Sequence, residues 1–332
     1  MKWRELKLNS FIFLVSNALF FLIGINNFSK ISFKSTTISI LISSFISYFL
    51  LGFYLSKHKD SKLIEKNIII IDVIKVLLLF ILLDYTLDKT TLFITYNVVN
   101  SLSIYMVSIF FLIIGVFIVN KGFPTITKSL FLYLLLDIFL IIITFILLFP
   151  KMNFNNILPI IDTNYQNIGY SILIYLCVCL VPYIYLPLFK DNLSSERCKN
   201  IKKGFLITHA FIFLYTLVIF SILGVNLVNI YPYPEVAIFK KVSFLNVVDR
   251  VESIFSISYF LSLFLFFSIS FYQLFTIIKK YFKIKKETKI LVLLAFLIFL
   301  FNEIFEISVY IFLTTLSLLF VCCFTTIKSN RS

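Results

Sequence analysis

Ten stretches of this chain stay apolar long enough to cross a bilayer, and that repetition limits the possible folds more than any motif does. A helix needs about 20 apolar residues, at ~1.5 Å each, to cross ~30 Å of hydrocarbon. The runs fall at about 8–27, 36–56, 67–87, 93–119, 129–149, 165–189, 204–228, 247–278, 287–302 and 305–327. They are continuously apolar rather than alternating, which points to helices and away from a barrel. The ninth is the weakest, because its uncharged core, Ile290 to Asn302, has 13 residues. Composition agrees: 60% of the residues are hydrophobic and 14% charged, against roughly half and a quarter in soluble domains. We expect an all-α integral membrane protein of about ten transmembrane helices, one membrane domain over 1–332.

The net charge of +14 then reads as topology. With the N-terminus inside, the N-terminal segment, the loops after runs two, four, six and eight, and the tail hold 22 of the 30 Lys and Arg, and the opposite loops hold 7. Cytoplasmic loops carry this excess, so both termini are expected to be cytoplasmic and nucleic acid is not an expected partner. Asn26, Asn27 and Ser29 follow the first run without a small-x-small site, so no cleaved signal peptide is expected. The five cysteines have no metal or redox spacing, and His58 and His209 stand alone. No phosphate loop, nucleophile elbow or metalloprotease helix is present, so neither an enzyme nor a bound cofactor or metal is expected.

Two runs are interrupted. Gly24-Ile-Asn-Asn27 breaks the first, and Gly169, Pro182 and Pro187 mark the sixth, so each five-helix half opens on a broken helix. Transporters built from inverted repeats place a small polar ligand between such half-helix ends; kinking alone is the simpler alternative. Charged residues inside the runs are few. Asp72 and Lys75 lie one turn apart and can pair, and Asp137 has no evident partner in sequence.

The longest polar passage between runs outside the basic loops is Tyr231-Pro-Tyr-Pro-Glu235, about a dozen residues, then Asp249-Arg-Val-Glu-Ser253. Pro234 suits a first helical position, with Glu235 behind it where an anion is favoured and Lys240 and Lys241 in the last turn. A short amphipathic helix at the membrane surface within 231–246, a turn at Ser243 to Asn246 and a new helix start are expected.

These residues resemble the Tyr-Pro-x-x-Glu and Glu-Arg-Ile-Glu-Ala passage of the spore-germination permeases, the B subunits of GerA-type germinant receptors. Lys121-Gly-Phe-Pro-Thr-Ile-Thr-Lys128 is similar to that family's Gly-Leu-Glu-x-Ile-Ala-Arg loop, and Leu158-Pro159 to its Leu-Leu-Pro. The family resembles amino-acid/polyamine permeases with a LeuT-like core, which implies a 5+5 inverted repeat, 1–149 and 150–332. The resemblance further implies a permease-like receptor subunit in the spore inner membrane, partnered by A and C subunits, that senses a small nutrient such as an amino acid. A secondary amino-acid transporter coupled to protons or sodium is the alternative. Helices one, three, six and eight would line the site through Gly24, Asn26, Tyr85, Ser171, Tyr175, Ser258 and Ser262, with Glu235, Arg250 and Glu252 as a gate or subunit contact. The chain departs from the family where the outer half of helix one is short and where helix six has Tyr175 or a neighbour in place of an acidic residue.

Overall fold

The computed structural model describes residues 3–57, 61–65, 68–99, 102–158, 165–189, 194–241, 251–282 and 287–331. Every apolar run is helical over most of its described residues. The first run is α1 (Trp3–Ile23) and α2 (Ile25–Ser32), parted by Gly24 at φ 78°, ψ 136°. Backbone in that region is essentially restricted to glycine, so the break follows directly from the sequence. A short 3₁₀ turn leads into α3 (Thr36–Lys57). Then come α4 (Ile69–Asn97), α5 (Ile104–Asn120) and α6 (Phe123–Leu148). The sixth run is α7 (Tyr165–Leu180), which gives way to a 3₁₀ stretch, Val181–Phe189, one residue before Pro182. The chain ends with α8 (Ser195–Ile230), α9 (Pro234–Ala237), α10 (Val251–Tyr281), α11 (Glu287–Ile304) and α12 (Val309–Thr326).

Five helical stretches are long and apolar enough to cross a membrane, 25–56, 123–151, 165–189, 195–230 and 255–281, and 8–23, 104–120 and 309–322 are shorter apolar helices. The third run extends ten residues beyond its expected end. Asp88 and Lys89 were read as a loop, but they form an ion pair at 3.8 Å and the helix continues. Thr90, Thr91 and Thr95 bond back to carbonyls one turn earlier, so the added turns expose no hydroxyl to an apolar setting. The fourth run therefore starts late, at Ile104, where Ser103 caps it by accepting the Met106 N–H.

α1 lies at the centre, against α6, α8 and α10; α3 packs on α7 and α8, and α4 on α5, α10 and α12. Large apolar side chains such as Phe45, Phe53, Leu132 and Phe139 face outward, as expected of surfaces that meet lipid. Between helices already immersed in hydrocarbon, area burial drives little association, and polar contacts worth ~0.6 kcal/mol each give specificity. Ser43 Oγ donates to the Ile172 carbonyl at 3.0 Å, Tyr185 and Ser270 share a bond at 2.8 Å, and Tyr259 donates to the Phe21 carbonyl at 2.9 Å.

At one end of the bundle Asp72, 1% exposed, accepts from Lys280 Nζ at 2.6 Å and from the Tyr281 hydroxyl. Lys75 is also buried, but the ion pair of Asp72 reaches a helix 208 residues away, which no local spacing announces. The segment after α3 pairs with the chain end as an antiparallel ribbon, β1 (Ser61–Glu65) with β2 (Ile327–Arg331), which places that loop and the tail on one face. This ribbon is the one departure from an all-α chain among the described residues.

Candidate functional site

The site begins at the Gly24 break. Opening a helix there leaves the first amides of α2 without intrahelical partners, and the helix dipole adds partial positive charge. Asn26 Oδ1 takes the Asn27 N–H at 2.9 Å. The Ile25 N–H goes to Glu235 Oε1 at 2.6 Å, so a carboxylate from the far half of the chain caps the broken helix.

Glu235 reaches that depth because residues 234–239 are tucked in. Pro234 occupies the first turn of α9, and Pro234, Glu235, Val236, Ala237, Ile238 and Phe239 are all buried. The helix starts where Pro234 put it and runs through a 3₁₀ turn, Ile238–Lys241, so Lys240 and Lys241 do fall in its last turn, but its described side chains 234–239 are buried against the bundle rather than divided into an apolar and an exposed polar face. Three bonds and contacts hold it. The Tyr215 hydroxyl donates to the Glu235 carbonyl at 2.7 Å, Asn26 Nδ2 donates to the Pro232 carbonyl at 3.2 Å, and Tyr233 packs edge-on against Phe93 at 5.1 Å. The Glu235 side chain is 1% exposed. Desolvation lifts its carboxyl to about 7, partly opposed by the Ile25 amide. Arg250 lies outside the described residues, and Glu252 enters only as a position on α10.

Two cavities flank the break and share Phe21 and Tyr259. The larger, about 200 Å³, is lined by Gly24, Asn26, Asn27, Lys89, Tyr233 and Tyr259 among others. Lys89 gives it a cation, held 3.8 Å from the Asp88 carboxylate and 5.3 Å over the Tyr85 ring. The smaller, about 40 Å³, is lined by Asn17, Asp137, Tyr215, Glu235 and Ser258 with an apolar surround. There Ser258 Oγ donates to Asp137 Oδ1 at 2.5 Å, and Tyr133 donates to the Ser258 carbonyl and lies 3.4 Å from the same Asp137 oxygen.

Of the seven residues expected at a ligand site, Gly24 and Asn26 line the larger cavity and Ser258 the smaller. The other four line neither. Tyr85 stacks on Phe312 at 4.2 Å and donates to the Leu22 carbonyl at 3.2 Å, supporting the break from behind. Ser171 meets Ser32 at 3.2 Å between α2 and α7. Tyr175 pairs with His209 Nδ1 at 3.0 Å and packs on Phe20 and Phe28, and Ser262 bonds back to the Tyr259 carbonyl at 2.8 Å. Sequence reasoning missed Lys89, Tyr233, Tyr259, Asn17 and Tyr215 as lining residues. Only Tyr233 carried a signal, its place inside the Tyr-Pro-Tyr-Pro-Glu motif.

A family profile described as spore germination protein matches residues 76–310, well over half of the chain. The chain belongs to the spore germination protein family. Among solved structures, the fold of this family member is similar to that of MHP1, a nucleobase-cation-symport-1 family transporter solved in a closed conformation with bromovinylhydantoin bound. That likeness has a TM-score of 0.63 at 14% identity and covers 94% of this chain and 74% of the transporter. At this identity it shows a shared fold alone. No curated protein matches the chain.

Proposed function

We propose that this chain is the permease-like subunit of a spore germinant receptor, and that it senses a small nutrient at the Gly24 break. The observation that carries the reading is the 200 Å³ cavity at that break, which brings a helix interruption, two asparagines, two tyrosines and one lysine around a single space. Its size suits a molecule smaller than the drug-sized ligands of ~300–1,000 Å³ pockets, and Lys89 with the Asn26 and Asn27 amides suits a ligand bearing a carboxylate. An amino acid meets both conditions. In this reading the ten runs are ten spans in a 5+5 inverted repeat, both termini are cytoplasmic, the membrane is the spore inner membrane, and A and C subunits complete the receptor. Ligand binding is read out as germination, with no covalent chemistry.

The test is germination of spores carrying Lys89→Met. The expected result is a nutrient requirement raised at least tenfold with normal amounts of the protein in the inner membrane. An unchanged dose response to every nutrient would remove the cavity from the reading. A secondary amino-acid transporter coupled to protons or sodium is the second reading, favoured by the likeness to a transporter fold. Uptake of labelled amino acid by proteoliposomes of this chain alone would support it.

A further inference from the structure

The smaller cavity has a composition that nutrient sensing does not use. Two carboxylate side chains, Asp137 from α6 and Glu235 from α9, line one space of about 40 Å³, and none of the described residues lining it is Lys, Arg or His. Both are buried, at 8% and 1% exposure. Each has one oxygen already engaged: Asp137 Oδ1 by Ser258, and Glu235 Oε1 by the Ile25 amide. Two further oxygens among the lining residues, Glu235 Oε2 and Asn17 Oδ1, are buried with no hydrogen-bond partner. The Asn17 residue itself is 2% exposed.

Buried acceptors without donors, beside carboxylates without a basic partner, are costly unless something positive lies among them. Every uncommitted group is a hard oxygen, which suits a hard cation and not a soft metal. At about 40 Å³ the space is a fifth of the one at the Gly24 break, which favours an occupant smaller than an amino acid. Donors already in place on one oxygen of each carboxylate offset part of the negative charge, which favours a single positive charge over a double one.

We propose that Asn17, Asp137 and Glu235, with Ser258 and Tyr215 beside them, form a binding site for one monovalent cation, an alkali ion or ammonium. It rests on neither functional reading, since no nutrient enters the argument. Its occupant joins α1, α6 and α9, and so fixes the segment whose Glu235 caps the broken helix.

The experiment measures thermal unfolding of the purified full-length chain in detergent at pH 8 and constant ionic strength, titrating sodium, potassium or ammonium chloride against choline chloride. At least one small cation is expected to raise Tm saturably, with choline inert. Glu235→Gln, which keeps an acceptor for the Ile25 N–H, and separately Asn17→Leu are expected to raise the half-saturating concentration at least tenfold. Equal Tm in all four salts would overturn the proposal and leave protons as the only balancing charge. A saturable response of unchanged midpoint in both variants would also overturn it. Should one variant fail to fold, the other decides. Because nutrient is absent throughout, failure here leaves the dose-response test at Lys89 standing, and the reverse.

Discussion

Gly24→Ala is the sharpest perturbation that the structure offers. The backbone at Gly24, φ 78° and ψ 136°, lies where residues with a Cβ are strained by about 1–3 kcal/mol. A Cβ built there would stand 2.6 Å from Asn26 Oδ1, closer than real contacts allow. Asn26 has little freedom to retreat, since Oδ1 accepts from the Asn27 N–H at 2.9 Å and Nδ2 donates to the Pro232 carbonyl at 3.2 Å. Losing either bond adds about 1 kcal/mol. The total is about 2–4 kcal/mol, and at the roughly 2–4 °C per kcal/mol of a 150–250-residue domain the expected fall in Tm is about 4–16 °C, toward the lower end for a longer chain. Gly169→Ala is the internal control: it lies in α7, a Cβ there meets nothing within 4 Å, and alanine favours a helix by about 0.5–1 kcal/mol. Thermal unfolding of both variants in one detergent is the assay. Equal Tm values for the two, or Gly24→Ala within a degree of the parent, would refute the reasoning.

Glu235 gives a pH dependence with a definite sign. Its folded pKa of about 7 lies above the ordinary 4.5, so in choline buffer the stability it contributes is fully present below pH 4.5 and is lost as pH rises through 7. The loss is on the order of 3 kcal/mol; Glu235→Gln should flatten the Tm profile over that window, and a slope of unchanged size in the variant would contradict it. Topology is checked by single cysteines in a cysteine-free background. One placed at Ser243 should react only with reagent added to the face opposite the termini, and labelling from the cytoplasmic face would overturn the map.

What the sequence disclosed and what it concealed divide along a physical line. The break at Gly24 and the loss of α-helix at Pro182 were legible because both follow from one residue's own dihedral limits. The start of α9 was legible for the same reason at Pro234. Burial of α9 was not, because Glu235 and the lysines that follow describe a surface helix by composition, and only contacts from Tyr215 and Asn26 draw it inward. The true end of α4 was hidden because Asp88 and Lys89 resemble a loop by composition, whereas the helix runs on through them to Asn97. Tyr85, Tyr175 and Ser171 were chosen as hydrogen-bonding groups on the expected helices, and they do bond, but to neighbouring helices rather than into a cavity. Which face of a helix meets a space and which meets another helix depends on rotation about its axis, and a nearly all-apolar helix carries little record of that.

The bond from Glu235 to the Ile25 amide also sets an order of events during synthesis. The two residues are 210 positions apart, so at ~5–20 residues per second the amide end of α2 is made about 10–40 seconds before its cap exists. For that interval the break must stay hydrated or be held by the insertion machinery, since a bare helix end has no partner in hydrocarbon. A chain stopped anywhere before α9 would leave the Ile25 amide at the start of α2 without this cap.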